Sequence, residues 1–224
     1  MISVNDFANH ASLWRHVAPT LEQVVRWSNS QQNSLGSAPA STGRPARRAL
    51  ISETAFRLTA AGYSPQSFNS YSLEDDARSF ISMLPRGHVE SYALTPIEWQ
   101  DVKNLSVVIN KYLGQQATLV FFPAIPGCGI VDSARADILI EDNLVEVKAV
   151  TRQFRALDFR QVLTYSAMLY ASKSQIRRIT LLNPRRARYV TGSLDELSMA
   201  ASGRSAPELM QDLVNSMIGL QVSG

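Results

Sequence analysis

The chain has one cysteine, Cys128, three histidines, and no apolar run of membrane length. A lone cysteine excludes an internal disulfide framework and a zinc site built on thiolates, and it fits a reducing compartment. His10, His16 and His88 are too scattered for a histidine-rich metal site, so any metal must be held by carboxylates. No stretch of about 18 apolar residues is present to span a bilayer. The opening MISVNDFANHASLWRH lacks the charged start and apolar stretch of a signal peptide. These absences lead us to expect a soluble, cytoplasmic protein with no membrane partner. Charge is modest too: charged residues make up 18%, and a net charge of +3 does not by itself name a nucleic acid partner. What remains is an ordinary hydrophobic fraction of 45% over 224 residues, enough for one sizeable core with or without an accessory region.

Apolar residues from Phe7 and Trp14 to Leu21, Val24 and Trp27 recur near helical spacing, interrupted by Pro19. The Ser-, Gly-, Pro- and Gln-rich stretch at 29–48 buries too little to offset its ordering entropy, which predicts a flexible linker. Arg44, Arg47 and Arg48 close that stretch, either solvated or touching phosphate. Helices are expected at 52–61 and 73–83, ended by Gly62 and Pro85. A stronger one opens at Thr95-Pro96, where Thr95 and Glu98 have capping-box spacing and Pro96 suits the first turn. From Ala117 the pattern turns to strands: ATLVFFP, ADILIED and NLVEVKAV. A helix at about 158–172 follows, then strands in IRRITLLN and ARYVTG, and closing helices from Ser193 and Ala206. The order predicts an α/β fold. We divide it into an N-terminal helical region at 1–90, a core at 91–192, and C-terminal helices at 193–224 packing on that core.

The most informative segment is ADILIEDNLVEVK, residues 136–148. If Asp142-Asn143 forms a two-residue turn, Leu139 faces Glu146 and Asp137 faces Lys148. Strand alternation then puts Asp137, Leu139, Glu146 and Lys148 on one face. Ile138, Ile140, Val145 and Val147 share the other. Asp137 and Glu146 become diagonal neighbours, with Cα atoms roughly 7–8 Å apart. Such a pair can share a hard cation that prefers oxygen, such as Mg²⁺. Lys148 reaches the same point, where an ammonium can orient a water or stabilise phosphate charge. Without further context, surface ion pairs on a hairpin explain these residues as well.

An acid, an apolar strand, an acid–x–Lys strand and a helix, as in residues 137–148 and beyond, resemble the PD-(D/E)XK phosphodiesterase superfamily. Gln161-Val-Leu-Thr-Tyr165 is similar to the Q-x-x-x-Y motif of its helicase-associated exonuclease branch. The likeness covers roughly residues 95–183, less than half of the chain. It implies a restriction-endonuclease-like core, with a central mixed β-sheet flanked by helices. It also implies Asp137 and Glu146 as ligands of Mg²⁺ (or Mn²⁺ in its place), Lys148 as the catalytic lysine, and Gln161 and Tyr165 beside them. Ala136 stands where the family often has proline. The helix before the sheet sometimes supplies another acid; Glu98 is the candidate, although capping already accounts for it. Asp132 is a rival for Asp137, because Gly129-Ile-Val-Asp132 resembles the branch's G-x-x-D motif, but Asp137 suits the hairpin better. Gln161 has an alternative as a capping partner of Asp158, and Tyr165 as a core residue, yet their spacing puts them on one helix face.

Arg135, Arg152, Arg155 and Arg160 flank the expected pocket, and Arg185 and Arg186 follow in Asn183-Pro-Arg-Arg. They suit salt-sensitive phosphate contact, or else a solvated basic edge. The expectation is a Mg²⁺-dependent nuclease acting on DNA, with RNA as the alternative substrate. Chains of this kind resemble components of bacterial or phage defence and DNA-processing systems. A rival reading is a non-cleaving nucleic-acid-binding or assembly subunit. A homodimer would let one centre per chain cut both strands, and the N-terminal region would engage a partner protein.

Overall fold

In the computed structural model, which describes residues 1–40, 43–63, 72–84, 90–114 and 118–219, the N-terminal helical run breaks around Pro19. A residue without an amide donor requires such a break. His88, Pro85 and the expected strand start at Ala117 lie outside the described residues. The run forms α1 (Val4–Ala8), α2 (Ala11–Val17) and α3 (Leu21–Ser30), followed by β1 (Asn33–Ser34). Next come α4 (Arg48–Tyr63), α5 (Leu73–Ser82) and α6 (Pro96–Leu113). The strands β2 (Leu119–Phe121), β3 (Ala124–Ile125), β4 (Ala134–Arg135), β5 (Ile138–Ile140) and β6 (Asn143–Val147) lead into α7 (Ala156–Ala171). The chain then forms β7 (Arg178–Asn183), β8 (Arg188–Ser193), α8 (Leu194–Ser202) and α9 (Ala206–Gly219). No helix among the described residues is long and apolar enough to cross a membrane.

Six strands form one mixed sheet in the order β1-β8-β7-β6-β5-β2, in which only β6 and β7 run parallel. The hairpin of β5 and β6 corrects one expectation. Ile140 pairs with Asn143, Leu139 with Leu144 and Ile138 with Val145, so the turn is Glu141-Asp142 and not Asp142-Asn143. Asn143 is held in the strand because its Oδ1 accepts from Thr180 Oγ1 at 3.2 Å and its Nδ2 donates to the Tyr112 hydroxyl at 3.4 Å. Glu141 instead takes the left-handed backbone, with φ 53°. Leu139 pairs two residues away from its expected partner, and because side chains alternate with period two, such an even shift preserves which of them share a face.

The two faces have separate cores. Ile138, Ile140, Val145 and Leu182 pack on Phe56 of α4 and on Ile109 and Leu113 of α6. On the other face Leu144, Ile179 and Leu181 meet Phe159, Val162 and Leu163 of α7, with Phe7, Trp14, Leu21 and Leu213 in the same cluster. The sheet thus lies between two helical layers, and α1–α3 share the apolar cluster of α7–α9. Ala77 and Ile81 of α5 join Ile51, Val102 and Leu105 in a third cluster. Gly129 (φ 55°) packs so closely on α9 that a Cβ there would collide with the Met217 carbonyl. Packing thereby accounts for that glycine.

The expected linker is ordered at both ends. Asn33 and Ser34 add an edge strand to β8. Arg47, expected on a solvated basic stretch, is 1% exposed. Its guanidinium donates to Glu98 Oε1 at 3.2 Å and to the carbonyls of Tyr92 and Ala93 at 3.0 and 3.1 Å, and it lies 4.3 Å from the Tyr92 ring centre. Glu98 also completes the Thr95 capping box, accepting from Thr95 N at 2.9 Å. Burial alone would raise its carboxyl, but the Thr95 amide and Arg47 hold it below the ordinary 4.5. Stability from a lowered acid is present above that value and fades as the pH falls through the lowered one. Glu98→Ala should therefore cost about 3 kcal/mol at neutral pH, since it strands a buried cation. Urea unfolding should show the gap from wild type closing on acidification below 4.5.

Candidate active site

Asp137 stands just before β5, and its Oδ2 accepts the Val147 amide at 2.6 Å. Extending the hairpin register sets Asp137 directly opposite Glu146, a closer relation than the expected diagonal. Glu146, in β6, is 3% exposed. Its Oε1 accepts from Lys148 Nζ at 2.8 Å, while its Oε2 is buried without a hydrogen-bond partner. Lys148 Nζ also donates to Gln161 Oε1 at 2.5 Å, and Gln161 Nε2 donates to the Tyr165 hydroxyl at 3.1 Å. The structure thus joins Glu146, Lys148, Gln161 and Tyr165 in one hydrogen-bonded line, with Asp137 beside its carboxylate end.

The alternative capping role does not fall to Gln161. Asp158 caps α7 itself, accepting from Arg155 N at 2.8 Å, and it also binds Arg152 through both oxygens at 2.6 and 2.9 Å. With its capping work done three residues earlier, the first turn leaves Gln161 and Tyr165 free to face the sheet.

The electrostatics are those of a crowded anionic floor. Burial, and then the Glu146 carboxylate, push the Asp137 carboxyl well above the ordinary carboxylate range. Burial works against the Lys148 charge, but Glu146 and Asp137 outweigh it and hold the ammonium above the ordinary lysine value. Lys148 is therefore a cation at neutral pH. Burial also pushes the Tyr165 phenol upward, so it remains protonated.

Asp137 and Lys148 open into a cleft of about 780 Å³, whose lining includes Arg48, Arg152, Arg155 and Arg185. Arg185 is 4% exposed and donates to Ser52 Oγ at 3.2 Å. Other expected residues stand apart. Arg135 is exposed on β4, Arg160 turns to Glu22 at 3.5 Å, and neither they nor Arg186, Asp132 and Glu98 line this cleft. Glu98 is committed to Arg47 and its cap.

The helical layer brings an acid to this cleft, Glu53 of α4, which the sequence reading did not single out. It lines the cleft, pairs with Arg57 at 3.0 Å, and is raised by burial. Its charge also bears on Asp137. Glu53 and Arg57 sit four apart on a helix, the spacing of an ordinary surface pair. No local signal ties residue 53 to residue 137.

These donors fit a small hard cation. Asp137 and the orphaned Glu146 Oε2 come from facing positions of the hairpin, and Asp137 shares the cleft lining with Glu53. Among the described residues, no three His, Cys, Asp or Glu side chains stand close enough to form a ready cage. Mg²⁺ suits such a half-built site, because it keeps several waters and takes only one or two carboxylates. The chain matches no protein-family model, no curated protein and no solved structure.

The buried Glu146 carboxylate and the half-buried Asp137 facing it repel each other unless a cation joins them. Asp137→Asn should therefore raise the thermal midpoint of the metal-free protein by about 2–4 °C, the shift that about 1 kcal/mol gives in a chain of this size. Millimolar Mg²⁺ should raise the midpoint of wild type and leave that of the variant unmoved. Thermal melts in EDTA and in Mg²⁺ check both expectations.

Proposed function

We propose that this chain is a metal-dependent phosphodiesterase that cleaves nucleic acid, with DNA as the expected substrate, and that it is a divergent PD-(D/E)XK nuclease. The observation that carries the proposal is the orphaned Glu146 Oε2 beside Asp137, with Lys148 fixed above both by Gln161. A buried carboxylate oxygen without a donor is costly, and a cation is the group that would satisfy it. The basic cleft lining supports a phosphate-bearing substrate.

In this reading Asp137 and Glu146 hold Mg²⁺, which when bound polarises the phosphate and acidifies a water. Lys148 has two of its three protons committed, to Glu146 and Gln161. The third is free to steer the attacking water or a non-bridging phosphate oxygen. Gln161 is a positioning residue: its amide oxygen fixes the ammonium, and its amide nitrogen is anchored on Tyr165. Arg48 and Arg155 draw the phosphate backbone into the cleft.

Supercoiled, linear and single-stranded DNA, and RNA, incubated with Mg²⁺, Mn²⁺ or EDTA, test the proposal. We expect cleavage that requires the metal, and a fall of at least about 100-fold in Lys148→Ala, the usual cost of removing one charge-stabilising donor. Cleavage that persists equally in EDTA or in the variant would overturn it. Binding by both proteins without cleavage would favour a non-cleaving nucleic-acid-binding subunit.

A further inference from the structure

The same cleft has a second kind of lining. Alongside its arginines it presents Phe56 of α4, Phe80 and Ile81 of α5, and Leu84 just beyond. Phe80 and Leu84 are 39% and 42% exposed. A phosphate chain gains nothing from such a surface, so apolar lining beside phosphate-binding charge calls for a ligand with an apolar face of its own.

Phe80 is also held as a platform. The Arg57 guanidinium carbon lies 5.6 Å from the Phe80 ring centre and 5.4 Å from that of Phe122. Phe122 in turn meets Phe56 edge-on, with ring centres 5.0 Å apart. Arg57 is itself fixed by Glu53 at 3.0 Å. A cation resting on an aromatic ring strengthens with desolvation, so this half-buried series holds the Phe80 ring in place and leaves part of it open to the cleft.

We propose that Phe80 is a base-stacking platform, and that the cleft takes a strand with unpaired bases: one base lies on Phe80 while the flanking phosphates engage Arg48 and Arg155. This rests on the nucleic-acid reading above and specifies its substrate. Within a duplex each base face is covered by its neighbours, so intact double-stranded DNA has no face to lay on the ring. A single strand, an overhang or a frayed end has one, and aromatic stacking of this kind accepts any base.

Fluorescence anisotropy of the full chain in Ca²⁺ tests the proposal with three labelled 12-residue DNA probes: a single strand, its duplex, and an abasic strand that keeps every phosphate. Phe80→Ala and Phe80→Tyr are measured beside wild type. We expect wild type to bind the single strand at least about 10-fold more tightly than either of the others. Phe80→Ala should lose about 10-fold on the single strand only, and Phe80→Tyr should retain binding. Equal affinity of wild type for base-bearing and abasic strands would overturn the proposal, as would an equal loss by Phe80→Ala on both. Circular dichroism identifies a misfolded variant independently of binding, and in that case the comparison of probes on wild type decides alone. Cleavage of duplex in Mg²⁺ without preference for unpaired bases would sink this inference while sparing the nuclease. The stacking pattern without cleavage of any substrate would do the reverse.

Discussion

The hydrogen bond from the Val147 amide to the Asp137 carboxylate lies where the ladder between β5 and β6 runs out, so a side chain takes over a bond that the backbone would otherwise make. That substitution keeps the two strands registered up to the site and brings Asp137 beside Glu146, although the pair repels. Burial and the Glu146 carboxylate hold the Asp137 carboxyl well above the ordinary range, which is the mark of that repulsion. Against this stand Ile138, Leu144 and Val145, each fully buried by the same register and each contributing about 1.5–3 kcal/mol. The apolar faces of the hairpin thus overcome the strain on its acids, and Lys148 reduces it further.

The parts of the fold that were legible are those set by local chemistry. The Thr95 cap, the break at Pro19, the β7 and β8 strands and the Ser193 start of α8 each follow from residues within a few positions of one another. Shared faces on the hairpin were legible for the same reason, since alternation survives an even shift in pairing. The turn was not, because Asn143 is held by Thr180 and Tyr112, which come from distant elements. Glu53 was hidden for a related reason. Helical spacing says which neighbours a side chain has on its own helix, but not which sheet edge the helix crosses.

Arg47 shows the limit from the other direction. Composition around it is that of a solvated linker, and an arginine there reads as surface charge. Its burial depends on Glu98 and on the carbonyls of Tyr92 and Ala93, more than 40 residues away. Only an arginine, with its planar fork of donors, can satisfy a carboxylate and several carbonyls at once. The polar stretch therefore carries an anchor at one end and an edge strand at the other, and it leads the chain from the α1–α3 layer to the α4–α6 layer.

That route has a consequence for how the molecule is made. Val4, Phe7 and Trp14 belong to a cluster completed by Leu209, Leu213 and Met217, and Thr20 donates to the Ala200 carbonyl at 2.6 Å. During synthesis α1–α3 have no partner in this cluster until α7–α9, far along the chain, have followed them. Contacts so distant along the chain make folding slow and leave apolar surface exposed in the meantime. The α4–α6 layer needs no such wait: Ile51, Ala77 and Leu105 find one another within a single stretch of chain, so the half of the sandwich that carries Glu53 and Phe80 can assemble while the other half is still being translated.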